Sequence, residues 1–176
     1  PGSLLAYFEA VRDFGSWDWS DICEPAVTQA AAGFYVRPHV HHWWKSGANL
    51  GRAEVTERLG FSKTGRAAYF RADGSVKRIG DHVANPDLAR SLTMIARDGA
   101  DVFYRGEIAD KIDADMRENG GLIRRADLEA YRTTQVDPLR GSYRGFDIAT
   151  NHPPGGGIML VEMLNILENF DLSAIG

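Results

Sequence analysis

Three histidines stand beside two tryptophans and have the residue types needed to bind a metal ion. His39 and His41 are separated by one residue, and His42 follows directly. On a β-strand, the His-x-His spacing would place two imidazoles on one face, where their nitrogens suit zinc. No cysteine or carboxylate follows at ligand spacing, and Trp43-Trp44 favours an amphipathic patch that covers the core or contacts another subunit. We therefore predict packing here, with no metal site and no cofactor.

A glycine-rich loop, Pro153-Pro154-Gly155-Gly156-Gly157, precedes the last predicted helix. Glycines that enter a helix expose backbone N–H groups, and such groups can bind an anion. The loop is not a P-loop, because no Lys-Ser or Lys-Thr follows at the required place. Gly155, Gly156 and Gly157 are therefore the candidate substrate-binding residues. The alternative, which the sequence favours, is a permissive turn that lets the helix pack closely on a neighbour.

Carboxylates are frequent in the segment that follows residue 106. They are Glu107, Asp110, Asp113 and Asp115. Their spacing on a solvated helix face is typical of surface charge and does not favour a catalytic pair. No catalytic residue is assigned from these side chains.

The stretch from Asn85 to Tyr131 predicts three helices. The first has Asn85 as its N-cap, Pro86 at its first helical position and Gly99 as its stop. Apolar stripes run along the first two helices. The stripe residues are Leu88, Leu92, Ile95 and Ala96 in the first helix, and Ile108, Ile112 and Met116 in the second. The second helix ends at Asn119-Gly120, and the third is opened by Asp127-Leu128.

The remaining elements are shorter and less regular. We predict a helix over residues 3–14, a helix from Pro25 to Gly33 because proline is poorly tolerated deeper inside, and a helix over residues 51–59. Strands over residues 67–70 and 76–79 flank the turn Asp73-Gly74, and a second hairpin lies between residues 135 and 150 with Gly141 and Gly145 bracketing its turn.

The last helix spans residues 158–170 and should share one core with the three-helix stretch. The residues expected to be buried are Leu92, Ile95, Ile108, Ile112, Leu128, Leu164 and Leu167, with Leu160 and Met163 on the same terminal stripe. Some apolar helix surface should nevertheless stay exposed or be covered by another copy, which makes a homo-oligomer a possible partner arrangement.

Composition limits the classes of function. The 176 residues are within the range of one domain, and 44% hydrophobic residues suffice for a buried core, so we expect a single domain or partial domain over residues 1–176. A net charge of -4 gives no reason to expect nucleic acid or an anionic membrane surface as a partner. Cys23 is the only cysteine, so an internal disulfide is impossible and the compartment is left open.

An ordered series of motifs connects the chain to one family. Besides the stretch from Asn85 to Tyr131, the motifs are Pro1-Gly2, Trp19, Pro25-Ala26-Val27, Gly33-Phe34, Tyr143-Arg144-Gly145 and Asn165-Ile166-Leu167-Glu168. This order resembles the large chain of γ-glutamyltransferases, and the resemblance covers nearly the whole chain. The chain resembles only the middle part of that large chain.

The resemblance implies a fold, an activity and a partner chain. The fold is α+β and helix-rich, a fragment of the four-layer α/β/β/α sandwich of N-terminal-nucleophile hydrolases. The activity is the cleavage of γ-glutamyl amides such as glutathione, with transfer of the γ-glutamyl group to water or an amino acid. The nucleophilic threonine belongs to a small chain, so this segment alone should be inactive scaffold and pocket wall. The alternatives are a related acylase of different acyl specificity and a non-catalytic structural or interaction module.

Three positions depart from the family pattern or imitate it. Thr133-Thr134 is similar to the threonine pair at the family's autocleavage site, but its flanks match a different segment, and β-branched residues entering a strand are expected from packing alone. Gly155 and Gly156 stand where the family usually has two serines. Arg124 stands where a threonine commonly caps the third helix, which predicts a weaker start for that helix.

Overall fold

The computed structural model describes residues 2–47 and 51–174 and divides the chain into two compact units, Pro1–Thr133 and Thr134–Gly176. Pro1 of the Pro1-Gly2 motif lies outside the described residues. The first unit contains α1 (Gly2–Phe14), α2 (Trp19–Ala32), β1 (Phe34–Tyr35), α3 (Pro38–Trp44), α4 (Val55–Leu59), α5 (Lys63–Tyr69), β2 (His82–Val83), α6 (Pro86–Asp98), α7 (Asp101–Tyr104), α8 (Glu107–Glu118) and α9 (Arg125–Ala130). The second contains β3 (Leu139–Tyr143), β4 (Phe146–Thr150), α10 (Gly157–Leu167) and a 3-10 turn (Leu172–Ala174).

Helix α6 begins and ends where the sequence predicts. The Asn85 side chain accepts a hydrogen bond from the Leu88 backbone N–H at 3.0 Å, and Pro86 occupies the first turn. Gly99 has a φ of 74°, a conformation that residues with a side chain rarely adopt. Of the predicted stripe, Ile95 is buried, Leu92 and Ala96 are half-buried, and Leu88 is exposed. Helix α6 packs against α2.

Helix α2 corrects one predicted boundary. It runs from Trp19 to Ala32 with Pro25 inside it, so the prediction that Pro25 opens the helix is wrong. An interior proline removes a backbone hydrogen bond and costs about 3 kcal/mol or more. The helix persists because it packs along α6, and because the Trp19 indole N–H in its first turn donates to the Ile95 carbonyl at 2.9 Å.

A small apolar core lies between residues 36 and 83, where the sequence shows few regular patterns. Val36, Trp44, Val76 and Val83 form its buried centre. Trp44 is buried and Trp43 is 66% exposed, so only one of the two tryptophans covers the core. The sheet around this core is minimal, with β1 and β2 pairing antiparallel over two residues each.

Three predicted elements beside this core differ from the structure. The helix predicted over residues 51–59 comprises only α4, because Glu54 is extended with a ψ of 147°. The strand predicted over residues 67–70 is the end of helix α5, which begins because the Ser62 hydroxyl accepts from the Gly65 N–H at 3.0 Å. The Asp73-Gly74 turn is present, but the strand predicted over residues 76–79 is wrong, because only Val76 pairs, in a single β-bridge with Phe70.

Helices α8 and α9 follow the predicted order, with the short helix α7 in the segment that joins α6 to α8. Leu128 of α9 is 1% exposed. Arg124 supplies no side-chain cap, as predicted, but two carboxylates offset the loss: Asp127 accepts from the Arg124 N–H at 2.8 Å, and Asp113 accepts from the Arg125 N–H at 3.0 Å. The predicted weakness of this helix start is therefore compensated by Asp127 within α9 and by Asp113 of α8.

The second unit is a β-hairpin followed by one helix. Strands β3 and β4 pair antiparallel from Leu139 opposite Thr150 to Tyr143 opposite Phe146, so the predicted hairpin is confirmed. Its turn is the dipeptide Arg144-Gly145, with φ values of 49° and 85°. Gly141 lies inside β3 and not at the turn. It lies close against α10, since a side chain at this position would meet Val161. Residues 131–138 form no strand, so the strand predicted at Thr133-Thr134 is wrong.

Helix α10 corrects the predicted single core. It belongs to the second compact unit, whereas residues 85–131 belong to the first. Of the residues expected to be buried, Ile95 and Leu128 are buried, Leu167 is exposed, and the others are half-buried: Leu92, Ile108, Ile112 and Leu164. Leu160 and Met163 are exposed as well, so the expectation of exposed apolar helix surface is confirmed. Within the described residues, no helix is long and apolar enough to cross a membrane.

Candidate functional site

The glycine-rich loop connects the end of β4 to the start of α10. Helix α10 begins at Gly157, with Gly156 as its N-cap, and the first helical hydrogen bond runs from the Leu160 N–H to the Gly156 carbonyl at 3.1 Å. The Gly155 N–H donates to the His152 carbonyl at 2.9 Å, which closes the turn before the helix. The N–H groups of a first helical turn have no partner within the helix, so this end presents donors suited to an anion.

The three glycines have different surroundings. A Cβ at Gly157 would overlap the Asn151 carbonyl oxygen, and a Cβ at Gly155 would overlap the Asn151 side-chain amide. Neither position accepts a side chain without movement of its neighbour. Gly156 is exposed, and a Cβ at this residue would meet no atom within 4 Å, so it alone borders open space. Close packing explains Gly155 and Gly157, and Gly156 is the position at which a ligand or a hydroxyl group has room.

Two isolated histidines hold loop and strand ends. The His152 ring nitrogen Nε2 lies 2.7 Å from the Asp137 carbonyl, which ties the glycine-rich loop to the segment that leads into β3. The His82 Nε2 lies 2.8 Å from the Ala32 carbonyl at the end of α2. Both rings are hydrogen-bonded to backbone carbonyls, His152 in the loop and His82 in β2.

The histidine cluster lies on helix α3 and not on a strand. Residues two apart in a helix point about 200° apart, so His39 and His41 do not share a face. The strand arrangement that would place the imidazoles of His39 and His41 on one face is therefore absent. Over residues 2–47 and 51–174, no group of three His, Cys, Asp or Glu side chains is arranged to hold a metal ion.

The side chains that could act as nucleophiles are not set up for catalysis. The Thr133 hydroxyl donates to the carboxylate of Glu9 in α1, which fixes the end of the first unit. Thr134 is exposed on a segment without regular structure. Cys23 is half-buried, and burial raises the pKa of its thiol above the ordinary value, which disfavours the reactive thiolate.

The carboxylates of α8 form ion pairs and hold α9. A hydrogen bond from Arg117, at 2.7 Å, and a second from the Arg125 N–H lower the pKa of Asp113 below its ordinary value. Asp110 pairs with the Arg125 guanidinium, and Glu107 pairs with Lys111 at 2.6 Å. These carboxylates are engaged in ion pairs and hydrogen bonds, so they support structure and do not form an acid–base pair.

One contact joins two of the motifs that carried the family resemblance. The Arg144 N–H, at the hairpin turn, donates to Oε1 of Glu168 at 2.8 Å, and the Arg144 guanidinium donates to the Phe170 carbonyl at 3.0 Å. Sequence reasoning gave neither residue a role. The two residues occur only within motifs of the family resemblance, Tyr143-Arg144-Gly145 and Asn165-Ile166-Leu167-Glu168. No sequence spacing predicts a contact between positions 24 residues apart.

Comparison with known proteins gives consistent likenesses over the whole chain. A family model described as Gamma-glutamyltranspeptidase matches residues 1–176. The glutathione hydrolase proenzyme of Escherichia coli is 37% identical over 100% of this chain, and the acylase ACY 1 proenzyme of Pseudomonas sp. strain SE83 is 35% identical over 100% of it. The crystal structure of Helicobacter pylori γ-glutamyltranspeptidase matches the whole chain with a TM-score of 0.89 and 32% identity, over 48% of that chain. The present chain spans 29% and 30% of the two curated relatives.

Proposed function

Because this chain belongs to the γ-glutamyltranspeptidase family, we propose that the protein of which it is a part cleaves γ-glutamyl amides such as glutathione. The γ-glutamyl group then passes to water or to an amino acid. The observation that carries the proposal is the family match over every residue, together with 37% identity to a glutathione hydrolase proenzyme across the whole chain.

The chain is a partial segment of this family, a helix-rich α+β fragment of the N-terminal-nucleophile hydrolase fold. We propose that the segment acts as scaffold and pocket wall. Thr133 is engaged with Glu9, and Thr134 lies exposed on an irregular segment, which supports a nucleophile located elsewhere in the protein. The partners in this proposal are a small-molecule γ-glutamyl substrate and a small chain that carries the nucleophilic threonine.

In the proposed mechanism, the threonine hydroxyl of the small chain loses its proton to its own α-amino group as it attacks the γ-amide carbon. The amide C–N bond then breaks, and the departing amine takes that proton. Water or an acceptor amine next attacks the acyl-enzyme ester carbon and loses a proton to the α-amino group; the ester C–O bond breaks, and the threonine oxygen takes that proton. Backbone N–H groups that face the developing oxyanion lower the barrier of both steps.

The contribution proposed for this segment is the loop at the start of α10. The loop of Gly155, Gly156 and Gly157 leads into a helix N-terminus, where the N–H groups of Gly156 and Gly157 face the substrate in this proposal, and the open space beside Gly156 leaves room for a substrate carboxylate. Because the family usually has serines before its paired glycines, this wall would bind through backbone groups and not through hydroxyls. The replacement of serines by glycines should therefore affect donor specificity most.

The proposal is tested by assay of the whole protein beside the 176-residue chain, both with a chromogenic γ-glutamyl anilide. We expect anilide release by the whole protein and only background release by the chain alone, since the chain lacks a nucleophile, base and oxyanion site together. Thr134→Ala in the whole protein is the matched control and should leave the rate unchanged. Turnover by the chain alone that disappears on Thr134→Ala would contradict the assignment of the nucleophile to another chain.

A related acylase of different acyl specificity is the second candidate, and the 35% identity to the acylase ACY 1 proenzyme favours it. The two candidates are separated by comparing a γ-glutamyl anilide with a glutaryl anilide, which has the same terminal carboxylate chain without the amino group. Preference for the glutaryl compound would support the acylase. Absence of turnover with both compounds would favour a non-catalytic structural or interaction module.

A further inference from the structure

The second unit closes on itself because its strand and its helix have matched lengths. Strand β4 has five residues and spans about 17 Å. Helix α10 has eleven residues and spans about 16 Å. The chain therefore runs from the hairpin turn along β4, passes through the glycine-rich loop, and returns along α10 to the hairpin turn. This closure brings Glu168 beside Arg144.

Arg144 occupies a backbone conformation that its residue type disfavours. Its φ is 49°, the only positive φ of a non-glycine residue among residues 2–47 and 51–174. Two-residue hairpin turns with two positive φ values favour Asn-Gly, because most side chains clash there. The conformation persists because surrounding contacts determine it: the N–H donates to Glu168, the guanidinium donates to the Phe170 carbonyl, and it also lies over the Tyr143 ring at 5.4 Å.

The same helix is held at two further points. In its middle, a Cβ on Gly141 would lie 3.0 Å from Val161, so α10 sits close against β3. At its start, Gly157 lies so near Asn151 that no side chain is accepted. A helix moves as a rigid rod over this length, so a shift at Glu168 is transmitted to Gly157. The contact at the hairpin turn is therefore one of three points that set where the loop lies.

We propose that Arg144 and Glu168 are positioning residues that set the loop of Gly155, Gly156 and Gly157 from the opposite end of α10. The inference rests on the proposed function, in which this loop is a wall of the substrate pocket. Neither side chain touches the loop, so their effect is indirect. It reaches the substrate only through the axial position of the helix.

The test uses the whole protein and three variants of this contact. Glu168→Ala removes the acceptor of the Arg144 N–H, whereas Glu168→Gln retains an oxygen acceptor at the same place. Arg144→Asn keeps a residue that tolerates positive φ and removes only the guanidinium. Glu162→Ala, an exposed acid on the same helix, is the matched control.

Two quantities are measured: kcat and KM with a γ-glutamyl anilide, and amide hydrogen exchange along the second unit. For Glu168→Ala we expect KM to rise by roughly tenfold and kcat to change by less than about twofold. The expected loss in kcat/KM is smaller than the roughly 100-fold loss of rate that a misplacement of about 1 Å at the reacting groups can cause. Exchange should accelerate at Gly155 and Leu160, whose N–H groups donate to the His152 and Gly156 carbonyls, and remain unchanged in β3 and β4. Glu168→Gln should restore wild-type behaviour, and Arg144→Asn should fall between the two.

Several outcomes overturn the inference. An unchanged KM and unchanged loop exchange in Glu168→Ala would show that the contact does not position the loop. Faster exchange throughout β3, β4 and α10 would show a general structural role instead. If the whole protein turns over no γ-glutamyl anilide, the proposed function fails, and the exchange pattern still decides whether the contact positions the loop.

Discussion

At the scale of single residues, position within the loop matters more than residue type. Gly155, Gly156 and Gly157 are indistinguishable in sequence, and each could be read as a flexible link or as an anion contact. The structure separates them, because Asn151 crowds the first and the third while the second faces open space. The turn interpretation therefore explains two of the glycines, and the binding interpretation depends on backbone groups beside Gly156.

The same substitution at neighbouring glycines should have opposite effects on stability. Gly157→Ser forces a Cβ against the Asn151 carbonyl and should lower the free energy of unfolding by about 1–3 kcal/mol, the range for overpacking. Gly156→Ser adds a favoured N-cap residue in open space and should raise it by a few tenths of a kcal/mol. Urea denaturation of the 176-residue chain measures both. Equal losses in the two variants would contradict the assigned close contact at Gly157.

Among the elements, the helices of residues 85–131 are specified by local signals, whereas the loop from Phe70 to Asp81 is held by backbone hydrogen bonds and by an ion pair between Arg71 and Asp81. Arg71 donates to Asp81 through Nε at 2.7 Å and through Nη2 at 2.9 Å, and the Arg78 N–H also donates to Asp81 at 2.7 Å. These hydrogen bonds, with Arg71 contributing most, lower the pKa of Asp81 from 3.8 to about 2. The ion pair compensates for the single β-bridge that joins the two arms of this loop.

This carboxylate should make stability depend on pH in the acid range. Because the folded-state pKa of Asp81 is lower than 3.8, its contribution is complete above that value and is lost as the pH falls towards about 2. Asp81→Asn should therefore lower the urea midpoint at neutral pH and flatten the decline between pH values of roughly 4 and 2. Asp147→Asn, at an exposed position of β4, is the control. A decline of the same steepness in Asp81→Asn and in the wild type would assign it to other groups.

At the scale of the whole molecule, helix α10 presents an open apolar face. Its exposed residues are Ile158, Met159, Leu160, Met163, Ile166 and Leu167, and Phe170 follows the helix. A helix that is apolar on nearly all sides is typical of the interior of a larger protein. Since the chain spans 29% of its Escherichia coli relative, we propose that other parts of the full protein cover this face.

The isolated 176-residue chain should therefore associate through α10. We expect concentration-dependent association in sedimentation experiments, because exposed apolar patches of this kind are unfavourable in water. Met163→Glu, at a position that is 52% exposed, should favour the monomer without changing the melting temperature measured at low concentration. Glu162→Gln is the neighbouring control. If Met163→Glu leaves association unchanged, another surface is responsible for it.

Features whose causes lie within a few residues could be predicted from the amino-acid sequence. The Asn85 cap, the Gly99 stop, the hairpin between residues 135 and 150 and the family of the chain all followed from local patterns and ordered motifs. Helix caps and turns depend on interactions within about four residues, so the residues that form them are neighbours in the sequence.

Which surfaces are buried and which distant residues come into contact could be seen only in the folded chain. Pro25 remains inside α2 because of packing against α6, and the stripe of α10, expected to be buried, is largely exposed among the described residues. Arg144 meets Glu168 because strand and helix lengths match. Burial and long-range hydrogen bonds depend on where the chain returns in space, and that return is set by the sum of all packing energies and not by any local pattern.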